Sequence, residues 1–170
     1  MIVLIGYMGS GKSTVGKVLA KQLQKDFIDF DKYIEAKENQ NIPEIFKQKG
    51  EVYFRKKEAQ YLGELLEDNS KAVVSLGGGT PCFGNNMQTI IETSPNVYYL
   101  KLSVDTLIDR LKPEKSYRPL IKDIADKDLS EFIRKHLFER NFYYLQAHHI
   151  INVTQQTPEE IAGEIIEKLS

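Results

Sequence analysis

The stretch Gly6-Tyr7-Met8-Gly9-Ser10-Gly11-Lys12-Ser13-Thr14 has the form G-x-x-x-x-G-K-S, and its flanks leave few folds open to the chain. Ile2-Val3-Leu4-Ile5 before it is a short apolar run rich in β-branched residues, as expected of a strand buried on both faces. Val15, Val18, Leu19 and Leu23 after it recur at helical spacing, so a helix should begin inside the motif. Glycines in such a turn let backbone N–H groups face inward at a helix N-terminus, where the dipole also favours an anion. Lys12 can then reach the β- and γ-phosphates of a nucleotide, and the Ser13 hydroxyl can take a place on Mg2+. The implied ligand is a nucleoside triphosphate, with Gly9, Ser10, Gly11, Lys12, Ser13 and Thr14 around its phosphates.

The remaining chain alternates strands and helices. Asp26–Asp31 reads as a second strand ending in acids, followed by helical segments over Tyr33–Glu38 and Pro43–Lys49 with a turn at Asn39-Gln40-Asn41. Gly50 interrupts, a long helix runs from Glu51 to about Glu67, and Asp68-Asn69-Ser70 closes it. Ala72–Leu76 is a third buried strand, leading into Gly77-Gly78-Gly79. A helix near Asn86–Glu92, a fourth strand over Val97–Leu102 and a helix over Val104–Leu111 follow. Pro113–Asp123 reads as a loop, and loops of that length more often serve function than idle. A helix over about Leu129–Leu145, a fifth strand over His149–Val153 and a last helix from Pro158 to Leu169, capped by Thr157, complete the pattern. This order implies an α/β fold with a parallel sheet covered on both faces, and ligands beyond the carboxyl ends of its strands.

At 170 residues the chain suits one domain. With 28% charged residues and a net charge of −1, no overall field draws nucleic acid or an anionic membrane, so an anionic ligand needs locally placed cations. A single cysteine, Cys82, precludes an internal disulfide and suits a reducing cytosol. A strand beginning at residue 2 leaves no room for a signal peptide, and no apolar run approaches a membrane span; a soluble, cytoplasmic protein is expected.

Lysine supplies most of the positive charge, and only Arg55, Arg110, Arg118, Arg134 and Arg140 are arginine. Arginine offers a planar fork suited to carboxylate and phosphate. Arg55 falls on a helical stripe of Val52, Ala59, Leu62 and Leu66, with Glu58 one turn on to orient it. Arg140 falls on a stripe of Ile133, Leu137 and Tyr144. Singly, either suits a structural ion pair; together, on inward faces, they point to a small carboxylate substrate. Asp29 and Asp31, two apart at a strand's end, should share a face, where they could hold Mg2+ through water and accept a proton; an acidic helix N-terminus is an equal reading. Gly77, Gly78 and Gly79 allow a ligand close to backbone N–H groups. Arg118, before Pro119 in the loop, could close on the γ-phosphate, and Arg110 could stack on adenine or cap its helix. Arg134 reads as surface, His148 and His149 as structural, and Cys82 as a semi-buried residue without a neighbouring base.

The stretches GYMGSGKSTVG, FIDFD, GEVYFRKKE, SLGGG, Asp109–Leu111, Tyr117–Leu120 and RNFYY together resemble the shikimate kinases from end to end. The resemblance implies a nucleoside-monophosphate-kinase-like fold with a five-stranded parallel sheet in the order 2-3-1-4-5. It implies an alcohol-acceptor phosphotransferase that uses ATP and Mg2+ to phosphorylate the shikimate 3-hydroxyl in aromatic amino-acid biosynthesis. A substrate-binding helical segment over about 32–60 and a lid over about 113–124 are implied with it. So are roles: Lys12 and Arg118 on the transferring phosphoryl group, Ser13 and water-bridged Asp29 on Mg2+, and Asp31 as base. Arg55 and Arg140 would clamp the carboxylate with Gly78 and Gly79 donating, and Arg110 and the Asn152–Thr157 region would enclose adenine. His148 stands where a small alanine is expected, and Thr154–Thr157 fits the pattern loosely. A monomer is expected. The rivals are another small-molecule kinase of this fold, for gluconate or a nucleoside monophosphate, and a silent nucleotide-binding module; a guanine switch lacks its D-x-x-G and N-K-x-D motifs.

Overall fold

Short runs of branched apolar residues pair side by side as a parallel five-stranded sheet ordered β2-β3-β1-β4-β5. The strands are β1 (Ile2–Ile5), β2 (Phe27–Asp29), β3 (Val73–Ser75), β4 (Val97–Leu102) and β5 (His149–Val153). The structure, a computed structural model, describes residues 1–68 and 71–169. β1 lies at the centre, with Val3 opposite Val74 of β3 and Val97 of β4. Every residue of β1 and β3 is buried, although successive side chains point to opposite faces, so both faces are covered. β5, an edge strand, buries only Ile151 and Val153 fully. Among the described residues no helix is long and apolar enough to cross a membrane.

The covering helices are α1 (Lys12–Leu23), α2 (Phe30–Glu38), α3 (Ile42–Asp68), α4 (Asn86–Thr93), α5 (Val104–Leu111), α6 (Asp126–Tyr144) and α7 (Pro158–Leu169). α1 packs against α7, α5 against α6, and α3 against both α2 and α4. Glu160 N–H donates to Thr157 Oγ1 at 3.2 Å and Thr157 N–H to Glu160 Oε2 at 2.7 Å, a reciprocal capping box that starts α7 beside Pro158.

Several boundaries differ from expectation. The second strand stops at Asp29, because Asp29 caps α2: its backbone is extended and its carboxylate accepts from Lys32 N–H at 3.3 Å. Asp31 therefore sits in the first turn of a helix and not on a strand face. The third strand is shorter than expected by one residue at each end. α3 is kinked at Gly50, whose φ of 81° is left-handed, and runs to Asp68; the expected closure at Asn69 and Ser70 lies outside the described residues. α6 begins at Asp126, ahead of Leu129, with Asp126 and Asp128 complementing the dipole of its first turn. The expected loop before it holds a short 3-10 turn at Lys115–Tyr117.

The inward face of α3 also differs. Val52 is 86% exposed and Ala59 is exposed, while Phe54, Glu58, Tyr61, Leu62, Leu65 and Leu66 are buried. The rings of Phe54 and Tyr61 hide more apolar area than a valine and an alanine, so their face wins. Arg55 consequently lies at the flank of the buried stripe.

Glu38 ties α2 to α3, accepting from Tyr61 Oη at 2.6 Å, Lys49 Nζ at 3.0 Å and Tyr53 Oη at 2.8 Å. The Tyr61 bond foremost, then those from Lys49 and Tyr53, pull its pKa down from 4.5 to about 2. A depressed carboxylate stabilises the fold above its unfolded pKa, and that contribution disappears as pH falls through its folded value. Glu38→Gln should therefore flatten the loss of thermal stability between pH 4.5 and about 2, read as melting temperature against pH.

Candidate active site

The turn after β1 closes around Lys12. Gly9 and Gly11 hold φ of 77° and 91°, conformations that side-chain-bearing residues rarely adopt. Lys12 is only 8% exposed, and its ammonium donates to the carbonyls of Gly6 at 2.8 Å and Tyr7 at 2.9 Å and to Ser10 Oγ at 3.3 Å. Burial pulls its pKa down to about 8, with Asp31 opposing the shift.

A cavity of about 460 Å³ opens over this turn at the carboxyl ends of the strands. Of the expected residues, Gly9, Gly11, Lys12, Ser13, Thr14, Asp29, Asp31, Gly77, Gly78, Arg110 and Arg118 line it. Ser10 is buried beneath, turned to Lys12. Met8, Ser75, Leu76 and Glu114 join the lining without having been expected. Of these, Ser75 carried a signal, as the polar residue at the carboxyl end of an apolar run.

Ser13 Oγ donates to Asp29 Oδ2 at 2.8 Å and lies 3.4 Å from Ser75 Oγ, so hydroxyl and carboxylate oxygens meet beside the phosphate turn. Hard oxygen donors few in number suit Mg2+, which completes its shell with water and substrate phosphates. Among the described residues no group of three or more His, Cys, Asp and Glu is placed to hold a metal ion.

Asp31 faces the same space. Burial first, and then the neighbouring Asp29 carboxylate, push its pKa up to about 6. A Cβ on Gly77 would lie 2.5 Å from Asp31 Oδ1, so the missing side chain is what admits the carboxylate. Both acids thus reach the cavity, by a cap and a first helical turn and not by strand alternation.

Arg55, Gly79 and Arg140 do not line that cavity but adjoin it across the glycine run. A Cβ on Gly79 would lie 3.3 Å from Arg55 Nη1 and Nη2 and 3.5 Å from Arg140 Nη2; one on Gly78 would lie 3.6 Å from Arg140 Nη1. Both guanidinium groups therefore converge on one stretch of backbone. Arg55 Nη1 donates to Glu58 Oε2 at 2.8 Å, and Glu58, 2% exposed, accepts at its other oxygen from Thr80 Oγ1 at 2.8 Å. Arg140 lies above the Tyr7 ring at 5.9 Å, and Tyr144 Oη donates to Gly78 O at 2.5 Å. Cys82 Sγ is 3.8 Å from the same Gly78 carbonyl, its thiol pushed up to about 11 by burial.

Arg110 reaches back from α5 to the carbonyls of Gly9 at 3.4 Å and Ser10 at 3.5 Å. Arg118 is paired with Glu114, donating from Nε at 3.0 Å and again from Nη2. Asn152 to Gln155 line a separate cavity of about 420 Å³ with Lys101 to Ser103 and Thr106, and Arg110 is not among them. Arg134 lies on the surface beside Asp105 at 3.2 Å, and His149 stacks on Tyr98 with ring centroids 4.6 Å apart.

Comparison with known proteins bears on what this cleft serves. A family profile described as shikimate kinase matches residues 8–170. A shikimate kinase of Flavobacterium johnsoniae is 46% identical over 169 residues, covering 99% of this chain and 98% of that protein. A crystal structure of shikimate kinase from Bacteroides thetaiotaomicron superposes with a TM-score of 0.90 at 37% identity, covering 99% of this chain and 97% of that one. The shikimate kinase of Acinetobacter baumannii, solved in complex with shikimate, superposes with a TM-score of 0.88 at 33% identity, covering 99% and 91%. The chain belongs to the shikimate kinase family, with the ATP-dependent activity of that family and its five-stranded 2-3-1-4-5 sheet.

Proposed function

We propose that the cleft transfers the γ-phosphoryl group of ATP to the 3-hydroxyl of shikimate, giving shikimate 3-phosphate and ADP for aromatic amino-acid biosynthesis. The observation that carries the reading is the convergence of Lys12, Asp31 and the Arg55–Arg140 pair around Gly77, Gly78 and Gly79. An anion cradle, a carboxylate with raised pKa and a double cation fork meet the needs of a triphosphate, an alcohol and a carboxylate respectively.

In this reading Arg55 and Arg140 hold the shikimate carboxylate, with backbone N–H groups of Gly78 and Gly79 donating beside them. The fixed ring presents its 3-hydroxyl to Asp31. As that oxygen bonds to the γ-phosphorus, its proton passes to the Asp31 carboxylate and the bond to the ADP oxygen breaks. Lys12 and Arg118 stabilise charge spreading over the phosphoryl oxygens, and the Gly9–Thr14 backbone holds the β-phosphate side. Ser13, and Asp29 through water, would hold Mg2+, with Ser75 behind them; bound there, the ion neutralises charge on the β- and γ-phosphates.

The segment 113–124 is proposed as a lid that brings Arg118 in and shuts water out, since an aligned water would otherwise accept the phosphoryl group. The segment 32–60 is proposed to carry the acceptor side, and Arg110 with the Asn152–Thr157 loop the adenine side. A monomer is part of the proposal, and the lone Cys82 suits the cytoplasm. Coupled ADP release measured with and without shikimate tests the reading: release should depend on shikimate and not respond to gluconate. Shikimate-independent ADP release would overturn it, and response to another acceptor would name the rival kinase.

A further inference from the structure

We propose that Phe83 is a positioning residue for the acceptor carboxylate, acting through the guanidinium plane of Arg55; this rests on Arg55 being part of the carboxylate clamp. Arg55 Cζ lies 3.5 Å from the Phe83 ring centroid, against 5.2 Å for Phe54 and 5.9 Å for Phe46. At 3.5 Å the cation stacks on the ring face, because an edge-on approach keeps the centroid about 5 Å or more away. Stacking suits arginine specifically: its N–H donors lie in the plane, so a ring over one face blocks none of them.

The ring is delivered by the same turn that grips the fork's edge. Phe83 follows the 3-10 turn Thr80–Cys82, and Thr80 Oγ1 donates to Glu58, which in turn accepts from Arg55 Nη1. Asn86 Nδ2 donates to the Thr80 carbonyl at 2.9 Å and fixes the turn. Glu58 sets the guanidinium's edge and Phe83 its face, while the fork stays within 3.3 Å of where a Gly79 Cβ would stand. A plane pinned at edge and face loses little freedom when a carboxylate docks, and the apolar cover keeps water from competing for the cation. Phe83 is itself only half-buried, so its principal contact is this cation and not the core.

The test uses Phe83→Leu and Phe83→Tyr, each alone and with Arg55→Met, in steady-state assays of the whole enzyme. Phe83→Leu should raise the shikimate KM by ~2–30-fold, the range a stacked cation contributes, with kcat and the ATP KM unchanged. Phe83→Tyr, which keeps the ring, should restore the wild-type KM. In the Arg55→Met background Phe83→Leu should add nothing. An unchanged shikimate KM in Phe83→Leu, or an equal penalty in both backgrounds, would overturn the proposal. So would a joint fall in kcat, ATP affinity and melting temperature, which marks a merely structural ring. If Arg55→Met itself leaves the shikimate KM unchanged, the clamp reading fails, and that outcome is distinguishable from the failure of Phe83 alone.

Discussion

Asp31→Asn should lower kcat by roughly 10²–10⁴-fold while ATP affinity stays near wild type, the loss typical of a removed general base. Asparagine keeps the shape and the place in the first turn of α2 but has no lone pair basic enough to take the acceptor proton. The environment of Asp31 prepares it for that proton: burial and the Asp29 charge disfavour its ionised form and raise its pKa to about 6. Burial has the opposite sign at Lys12, disfavouring the ammonium and lowering its pKa to about 8. The wild-type kcat/KM should therefore rise with pH through about 6, as Asp31 ionises, and fall above about 8, as Lys12 loses its charge. The asparagine variant keeps the alkaline limb and loses the acidic one. Steady-state rates across pH, with ATP titration of the variant, check both halves. Near-normal turnover in Asp31→Asn would remove this residue from the base role and return it to the capping acid that a first helical turn favours anyway.

The second large effect is on the acceptor side. Arg55→Lys should raise the shikimate KM by roughly 10–100-fold, equivalent to losing one charge-assisted hydrogen bond of about 1.5–3 kcal/mol. Charge alone is preserved, but an ammonium cannot donate to Glu58 and to a carboxylate in one plane, nor stack flat on Phe83. Glu58, 2% exposed, would keep a weakened partner, so some stability should be lost with it. The ATP KM should stay constant, because Arg55 does not line the cavity over Lys12 and the phosphate turn. Initial rates against each substrate separate these effects. A shikimate KM unchanged in Arg55→Lys would leave Arg55 as the structural partner of Glu58 and Thr80.

Much of this site is visible along the chain because its chemistry is local. The phosphate turn needs a buried strand before it, glycines within it and a helix after it, and these occupy one short segment. The same holds for the interruption at Gly50, the cap at Thr157, and the apolar runs that became β1 and β4. Where two local rules compete, pattern alone misleads. Strand alternation and helix capping both describe Phe27–Asp31, and capping won because Asp29 satisfies an N–H that a fresh helix leaves unpaired. On α3 a periodic stripe through Val52 and Ala59 was as regular as the true one through Phe54, Glu58 and Leu65.

Local pattern along the chain already carries the layered α/β architecture and the anion cradle, since propensity and periodicity act over a few neighbouring residues, whereas the acids and the arginines each kept a structural alternative. Packing of the whole chain brings Arg55 and Arg140 together at Gly79, lays Phe83 over one of them, sets Ser75 beside Ser13, and carries Arg110 to the phosphate turn. Those contacts join segments distant along the chain. Which of them form depends on which helix face gains most from burial against the sheet, a sum over the whole packed interior that no local stretch encodes.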